Sequence, residues 1–87
     1  MKSATVALVD DHMMVRRGMA SLLENAPDIE VVGEASDAES AILLLGKRRP
    51  DVVFLDLEVP GAGGLGLVRQ CIELLPDRHV VIFSAHL

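Results

Sequence analysis

Three apolar runs in this 87-residue chain each end in a group that can bind a cation or a phosphate oxygen: ATVALV before Asp10 and Asp11, DVVFL before Asp56, and HVVIF before Ser84. Runs of this composition read as strands buried on both faces, as in a parallel sheet, where ligands bind beyond the carboxyl ends of the strands. If the first and third strands are neighbours, as in a flavodoxin-like order, three carboxylates converge. Two like charges about 5 Å apart repel by roughly 3 kcal/mol at an effective dielectric of 20, so either one carboxylate is protonated or a cation is bound. The strand-end ligands are oxygens, which favours a hard ion such as Mg²⁺. An ion held by two carboxylates can neutralise the oxygens of an incoming phosphoryl group while Asp56 attacks phosphorus in line, and Ser84 is placed to hydrogen-bond a phosphate oxygen. The set describes a phosphoaspartate site.

The elements that must position these groups follow from the spacing of apolar residues. Ala4 to Val9 is the first strand. From Met13 to Asn25, Met14, Val15, Gly18, Met19, Leu22 and Leu23 repeat at helical spacing, with Pro27 as a stop. Ile29 to Ala35 mixes Ile29, Val31 and Val32 with acids and reads as a more exposed strand near the sheet edge. Ser36 or Asp37 caps a second helix with Ala38, Ala41, Ile42 and Leu45 on its apolar face, and Lys47, Arg48 and Arg49 complement its C-terminal end before Pro50. Asp51 to Leu55 is the third strand. A Pro/Gly loop from Pro60 to Gly64 leads to a third helix with Leu67, Val68, Cys71, Ile72 and Leu75 on one face, and His79 to Phe83 is the fourth strand. Strands alternating with helices at this spacing imply right-handed β-α-β units and a parallel sheet with helices on both faces.

Composition narrows the field. Eighty-seven residues leave room for one small domain, and with no Trp or Tyr and two Phe the core must be built from aliphatic side chains. The formal charge of −5 argues against a nucleic-acid surface in this region. Cys71 has no partner for an internal disulfide, its apolar setting predicts an inert thiol, and a reducing cytoplasm is the expected location. The apolar run after Lys2 meets Asp10 too soon for a signal peptide, and no stretch approaches membrane-spanning length. The Gly61-Ala-Gly63-Gly-Leu-Gly66 spelling matches G-x-G-x-x-G, but the next strand ends Phe83-Ser84 where a dinucleotide site expects an acid, so it reads as a loop. His12 reads as solvent-facing or helix-capping, and Arg16 and Arg17 as a solvated face.

The segments VALVDDHMMVRRGMASLLE, RPDVVFLDLEVPGAGGLGLVRQ and VVIFSAH resemble those of response regulator receiver domains, especially the subgroup whose output is a LuxR-type helix-turn-helix. The resemblance runs across residues 1–87. It implies a flavodoxin-like doubly wound parallel sheet, here incomplete at four strands and three helices. The family pattern continues past Leu87 with a helix, a fifth strand ending in a Lys, and a last helix; the Lys that pairs with the phosphoryl group and the output domain are therefore expected to lie outside this sequence. The resemblance further implies that Asp11 is a direct Mg²⁺ ligand, that Asp10 acts largely through a bound water, and that Asp56 is both ligand and phosphoacceptor. Glu58 would offer its backbone carbonyl to the metal, with its side chain near the leaving group; Ser84 would be the switch hydroxyl and Ala85 the small residue beside the phosphate.

The function so implied is a phosphorylation-controlled switch whose partner is a histidine kinase or phosphotransfer protein, with Arg16 and Arg17 on a helix that contributes to kinase docking. Such a chain is an acceptor rather than an enzyme. Two other readings compete. Asp56-Leu-Glu58-Val is similar to the nucleophile loop of haloacid-dehalogenase-type phosphatases, although that chemistry leaves Asp10 and Asp11 unused. A fragment that binds partners without phosphorylation is the other, and the apolar edge from Val80 to Phe83 predicts dimerisation or strand exchange through the fourth strand.

Overall fold

Alternation of β-rich runs with helical repeats produces β1 (Ala4–Val9), α1 (Met13–Glu24), β2 (Ile29–Ala35), α2 (Ala38–Arg48), β3 (Val52–Asp56), α3 (Gly64–Leu74) and β4 (His79–Phe83). The computed structural model describes residues 4–61 and 64–83. The strands form one parallel sheet in the order β2-β1-β3-β4. These are the first four places of the flavodoxin-like order 2-1-3-4-5, with the change of direction between β1 and β3. Register pairs Val6 with Val52 and Val9 with Leu55, so β1 and β3 run out at the same level.

The two faces of the sheet are covered unequally. Ala7, Val9, Val53 and Leu55 point to one side, where Ala41 and Leu45 of α2 and Leu67, Val68 and Cys71 of α3 close the larger core. Val6 and Leu8 point to the other side, against Ala20 of α1 with Met19 and Leu23 packed around it. The helical stripe of α1 differs from the predicted one: Met14 is 86% exposed and Leu22 75%, whereas Ala20 is buried. At about 100° per residue, positions 16, 19, 20 and 23 share a stripe and Met14 falls nearly opposite it. That stripe packs Met19, Ala20 and Leu23 on Val6 and Leu8, and Arg16 on the same stripe reaches Glu34 on β2. On α3, Ile72 is exposed rather than buried, since it lies about a third of a turn from the row formed by Leu67 and Cys71.

Local chemistry sets the element ends. Asp37 caps α2 by accepting from the Ser40 amide at 2.8 Å and the Ser40 hydroxyl at 2.6 Å. The hydroxyl bond first, then the amide bond, holds the Asp37 carboxyl below its ordinary range. At the other end, Arg49 adopts a left-handed φ of 45° and donates its amide to the Leu45 carbonyl at 2.9 Å, closing the helix before Pro50. The third strand begins one residue later than expected. Asp51 instead accepts from the Thr5 amide at 2.9 Å and the Thr5 hydroxyl at 3.2 Å, while its own amide donates to Thr5 Oγ1 at 2.9 Å. This carboxylate fastens the amino-terminal ends of β1 and β3, opposite to the end that carries Asp10 and Asp56.

The loop after β3 is docked on α2. The Ala38 amide donates to the Pro60 carbonyl at 2.9 Å, and Gly61 follows at φ 126°, where a Cβ would stand 2.5 Å from the Ala38 Cβ and 3.2 Å from its amide nitrogen. Both the backbone conformation and the lack of space call for glycine. Gly61→Ala is expected to destabilise the fold by about 1–3 kcal/mol, read as a lower urea midpoint by far-UV circular dichroism; an unchanged midpoint would refute this account of the loop.

Candidate functional site

Adjacency of β1 and β3 brings the carboxylates together. Asp10 extends the β1–β2 ladder by donating its amide to the Ala35 carbonyl at 3.0 Å, and Asp56 is the last residue of β3. Each is only 1% exposed. Asp11, one residue further along, is solvent-exposed. Ligand atoms from Asp10, Asp11, His12 and Asp56 all lie within 4.8 Å of one another.

Each buried carboxylate has one oxygen satisfied and one not. Asp10 Oδ1 accepts from the His12 amide at 2.8 Å, and Asp56 Oδ1 accepts from the Glu58 amide at 3.0 Å. Asp10 Oδ2 and Asp56 Oδ2 are buried with no hydrogen-bond partner among the described residues. A buried polar atom left unpaired costs about 1–3 kcal/mol, and more when charged. Two such oxygens in one cleft, with the exposed Asp11 at its mouth, fit a hard divalent cation.

The structure corrects the expectation for His12. It occupies the N-cap position of α1, as one of its predicted roles requires, yet its side chain makes no capping bond. The ring turns into the cleft, with Nδ1 3.1 Å from Asp10 Oδ1, 3.0 Å from Asp11 Oδ1 and 3.5 Å from Asp56 Oδ2. The hydrogen bond to Asp10, against the opposing effect of burial, and then the charges of Asp11, Asp10 and Asp56 raise the imidazole pKa above its ordinary value. Electrostatic demand from the acids outweighs the ring's preference for water.

Arg16 departs from its expected place on a solvated face. Its side chain is 16% exposed, with Nε 2.9 Å from Glu34 Oε1 and Nη1 donating to the Asp10 carbonyl oxygen at 2.6 Å. Arg17, 68% exposed, joins the same Glu34 at 3.3 Å. The spacing 16-19-20-23 was the available signal for Arg16, because it puts the guanidinium on the stripe that faces β1 and β2. Glu58 presents its amide to Asp56 and is exposed. Ser84 and Ala85 lie outside the described residues. Cys71 is buried, which pushes its thiol up to about 11 and matches the inert role expected of it.

Residues 6–87 match the response regulator receiver domain. The chain belongs to that family. It is 44% identical over 81 residues to the nitrate/nitrite response regulator protein NarL of Escherichia coli K12, covering 93% of this chain and 38% of that protein. Among solved structures, a LuxR-family two-component response regulator from Aurantimonas sp. SI85-9A1 superposes with a TM-score of 0.87 at 38% identity, over 99% of this chain and 61% of the other. Salmonella enterica RcsB bound to promoter rprA in the presence of the phosphomimetic BeF3− gives a TM-score of 0.88 at 28% identity, over 95% of this chain and 43% of that one. This receiver domain thus spans under two fifths of the curated relatives it matches. No helix among the described residues is long and apolar enough to cross a membrane.

Arg16 supports the receiver site from behind, since it ties the Asp10 backbone to β2. Arg16→Ala leaves Glu34 and the Asp10 carbonyl without that donor and is expected to cost about 1–3 kcal/mol of stability by urea denaturation, with Arg17→Ala costing well under 1 kcal/mol because exposed pairs contribute little. Equal effects of the two substitutions would contradict the distinction.

Proposed function

We propose that this receiver domain is a phosphorylation-controlled switch of a two-component system, with Asp56 as phosphoacceptor and a histidine kinase or phosphotransfer protein as donor. The observation that carries this reading is the pair of buried oxygens without a hydrogen bond, on Asp10 and Asp56 at the ends of neighbouring strands. Asp10, Asp11, Asp56 and the Glu58 backbone carbonyl would hold Mg²⁺. When bound, the ion supplies positive charge to the oxygens of the phosphoryl group.

The protein's own groups account for the rest. The Glu58 amide fixes Asp56 through Oδ1, so the carboxylate is oriented by β3 and the turn that follows. A carboxylate oxygen of Asp56 attacks phosphorus, the bond from phosphorus to the donor's histidine nitrogen breaks, and the electron pair and a proton return to that imidazole as an acyl phosphate forms. Ser84 follows Phe83, whose register partner is Asp56, and that supports its assignment as the hydroxyl that binds a phosphate oxygen. The Glu58 side chain would lie near the leaving group. The cycle closes when water hydrolyses the acyl phosphate slowly, so the domain is a timed acceptor rather than a turnover enzyme. Convergence of Asp10 and Asp11 on Asp56 favours this over haloacid-dehalogenase-like chemistry, which leaves both unused.

Resemblance to NarL and to a promoter-bound RcsB supports a cytoplasmic role in transcription, exerted through a DNA-binding output domain rather than by nucleic-acid contact from this acidic region. Incubation with Mg²⁺ and acetyl phosphate, followed by intact mass measurement, is expected to give one phosphoryl adduct that is lost in Asp56→Asn. A folded wild-type chain that takes no adduct would reject the assignment.

The switch also has a candidate self-association surface. Among the described residues β4 is an edge strand, and Val81 and Ile82 are 42% and 44% exposed on opposite faces of it. Pairing of this edge with a second copy would satisfy its backbone and cover both side chains. Sedimentation velocity should show concentration-dependent dimers that Val81→Lys weakens; a monomer at every concentration would remove this surface from the account.

A further inference from the structure

The ring nitrogen of His12 hydrogen-bonds Asp10 and lies among three carboxylates, and a nitrogen so placed can also serve a metal ion. Two ligands at right angles around one ion, each about 2.1 Å from it, are separated by about 3.0 Å, and tetrahedral ligands by about 3.4 Å. Nδ1 lies 3.0 Å from Asp11 Oδ1, 3.1 Å from Asp10 Oδ1 and 3.5 Å from Asp56 Oδ2. These nitrogen-to-oxygen separations fall in the range of neighbouring ligands around one ion, and the four residues offer ligand atoms that all lie within 4.8 Å of one another. Asp10 Oδ2 and Asp56 Oδ2, both buried without a hydrogen bond, are a second sign that the cleft is built to receive a ligand.

Imidazole and carboxylate differ in which ions they select. Mg²⁺ prefers oxygen and gains little from a nitrogen donor, whereas first-row transition ions from Mn²⁺ to Zn²⁺ bind imidazole well. We propose that His12 Nδ1 is a fourth ligand in the acidic cleft, making it a mixed nitrogen-oxygen site that binds Mn²⁺, Co²⁺ or Zn²⁺ in preference to Mg²⁺. The inference rests on the cation site of the proposed switch and adds a specificity-determining residue to it. Coordination uses the ring's lone pair, so the proton on Nδ1 passes to solvent as the ion enters. No capping bond is lost when the ring turns to the metal, because the N-cap side chain makes none.

His12→Asn separates the two roles, since Asn is a strong N-cap and supplies an oxygen in place of the nitrogen. The chain has no Trp or Tyr, so titration calorimetry serves better than fluorescence for affinity. Affinity for Mn²⁺ and Zn²⁺ is expected to fall in His12→Asn and His12→Ala by at least the roughly 10-fold that loss of even an outer-shell partner produces, while that for Mg²⁺ changes far less. In pulsed electron paramagnetic resonance of the Mn²⁺-loaded chain, nitrogen modulation should be present in the wild type and absent from both variants. Modulation that survives loss of His12, or a wild type without it, overturns the inference; an Mg²⁺-dependent adduct on Asp56 in the same sample would then leave the switch intact. Absence of both metal binding and adduct on folded protein would overturn the two together.

Discussion

Parallel pairing of β1 with β3 ends two strands at the same level, and each ends in an aspartate that is almost wholly buried. Burial strengthens repulsion between like charges and removes the water that would stabilise each of them. Every other feature of this end of the molecule answers that constraint. Backbone amides of His12 and Glu58 take one oxygen of each carboxylate, the His12 ring brings a protonatable nitrogen among them, and two oxygens remain for a ligand that carries positive charge.

The same constraint shapes the flanking elements. The stripe of α1 that faces the sheet carries Arg16, whose guanidinium reaches both Glu34 on β2 and the Asp10 carbonyl. The helix is thereby fastened behind β1, with Met19 and Leu23 packed inward and Met13, Met14 and Leu22 left on the surface. At the opposite end of the strands, Asp51 and Thr5 join β1 to β3 through side chain and backbone together. Neighbouring strands are thus pinned at the end away from the cleft, which leaves the acid-bearing end to be organised by the loops.

A cleft arranged in this way is suited to a transient charge. A bound cation would satisfy oxygens that are otherwise costly to bury, so the occupied state relieves a conflict present in the empty one. Membership of the receiver family sets that local change in a domain type whose solved relative RcsB is seen bound to a promoter in the presence of a phosphomimetic. Glu58 and Asp56 share a turn with Val59 and the docked Pro60–Gly61 segment, which contacts the start of α2; a change at Asp56 therefore has a packed route into a helix.

Much of this was readable from the chain itself. Strand-ending acids, helix spacing, a cap at Ser36 or Asp37 and the β-α alternation are local patterns, and local patterns specify elements and the end of the sheet where chemistry must sit. The strand order was only conditional in the sequence, because adjacency of β1 and β3 depends on how separated segments pack. The rotation of α1 was only partly legible from hydrophobicity: Met19 and Leu23 pack inward as expected, but Met14 and Leu22, which also look like core, lie outside, and Ala20 and Arg16 share the inward stripe. His12 follows the same logic. One residue cannot announce that three carboxylates from two strands surround it, and the balance between water and that acidic field exists only once the sheet has formed. Residue types along the chain determined what chemistry was available; tertiary packing decided which charges meet, because electrostatic interactions depend on distance in space rather than separation in sequence.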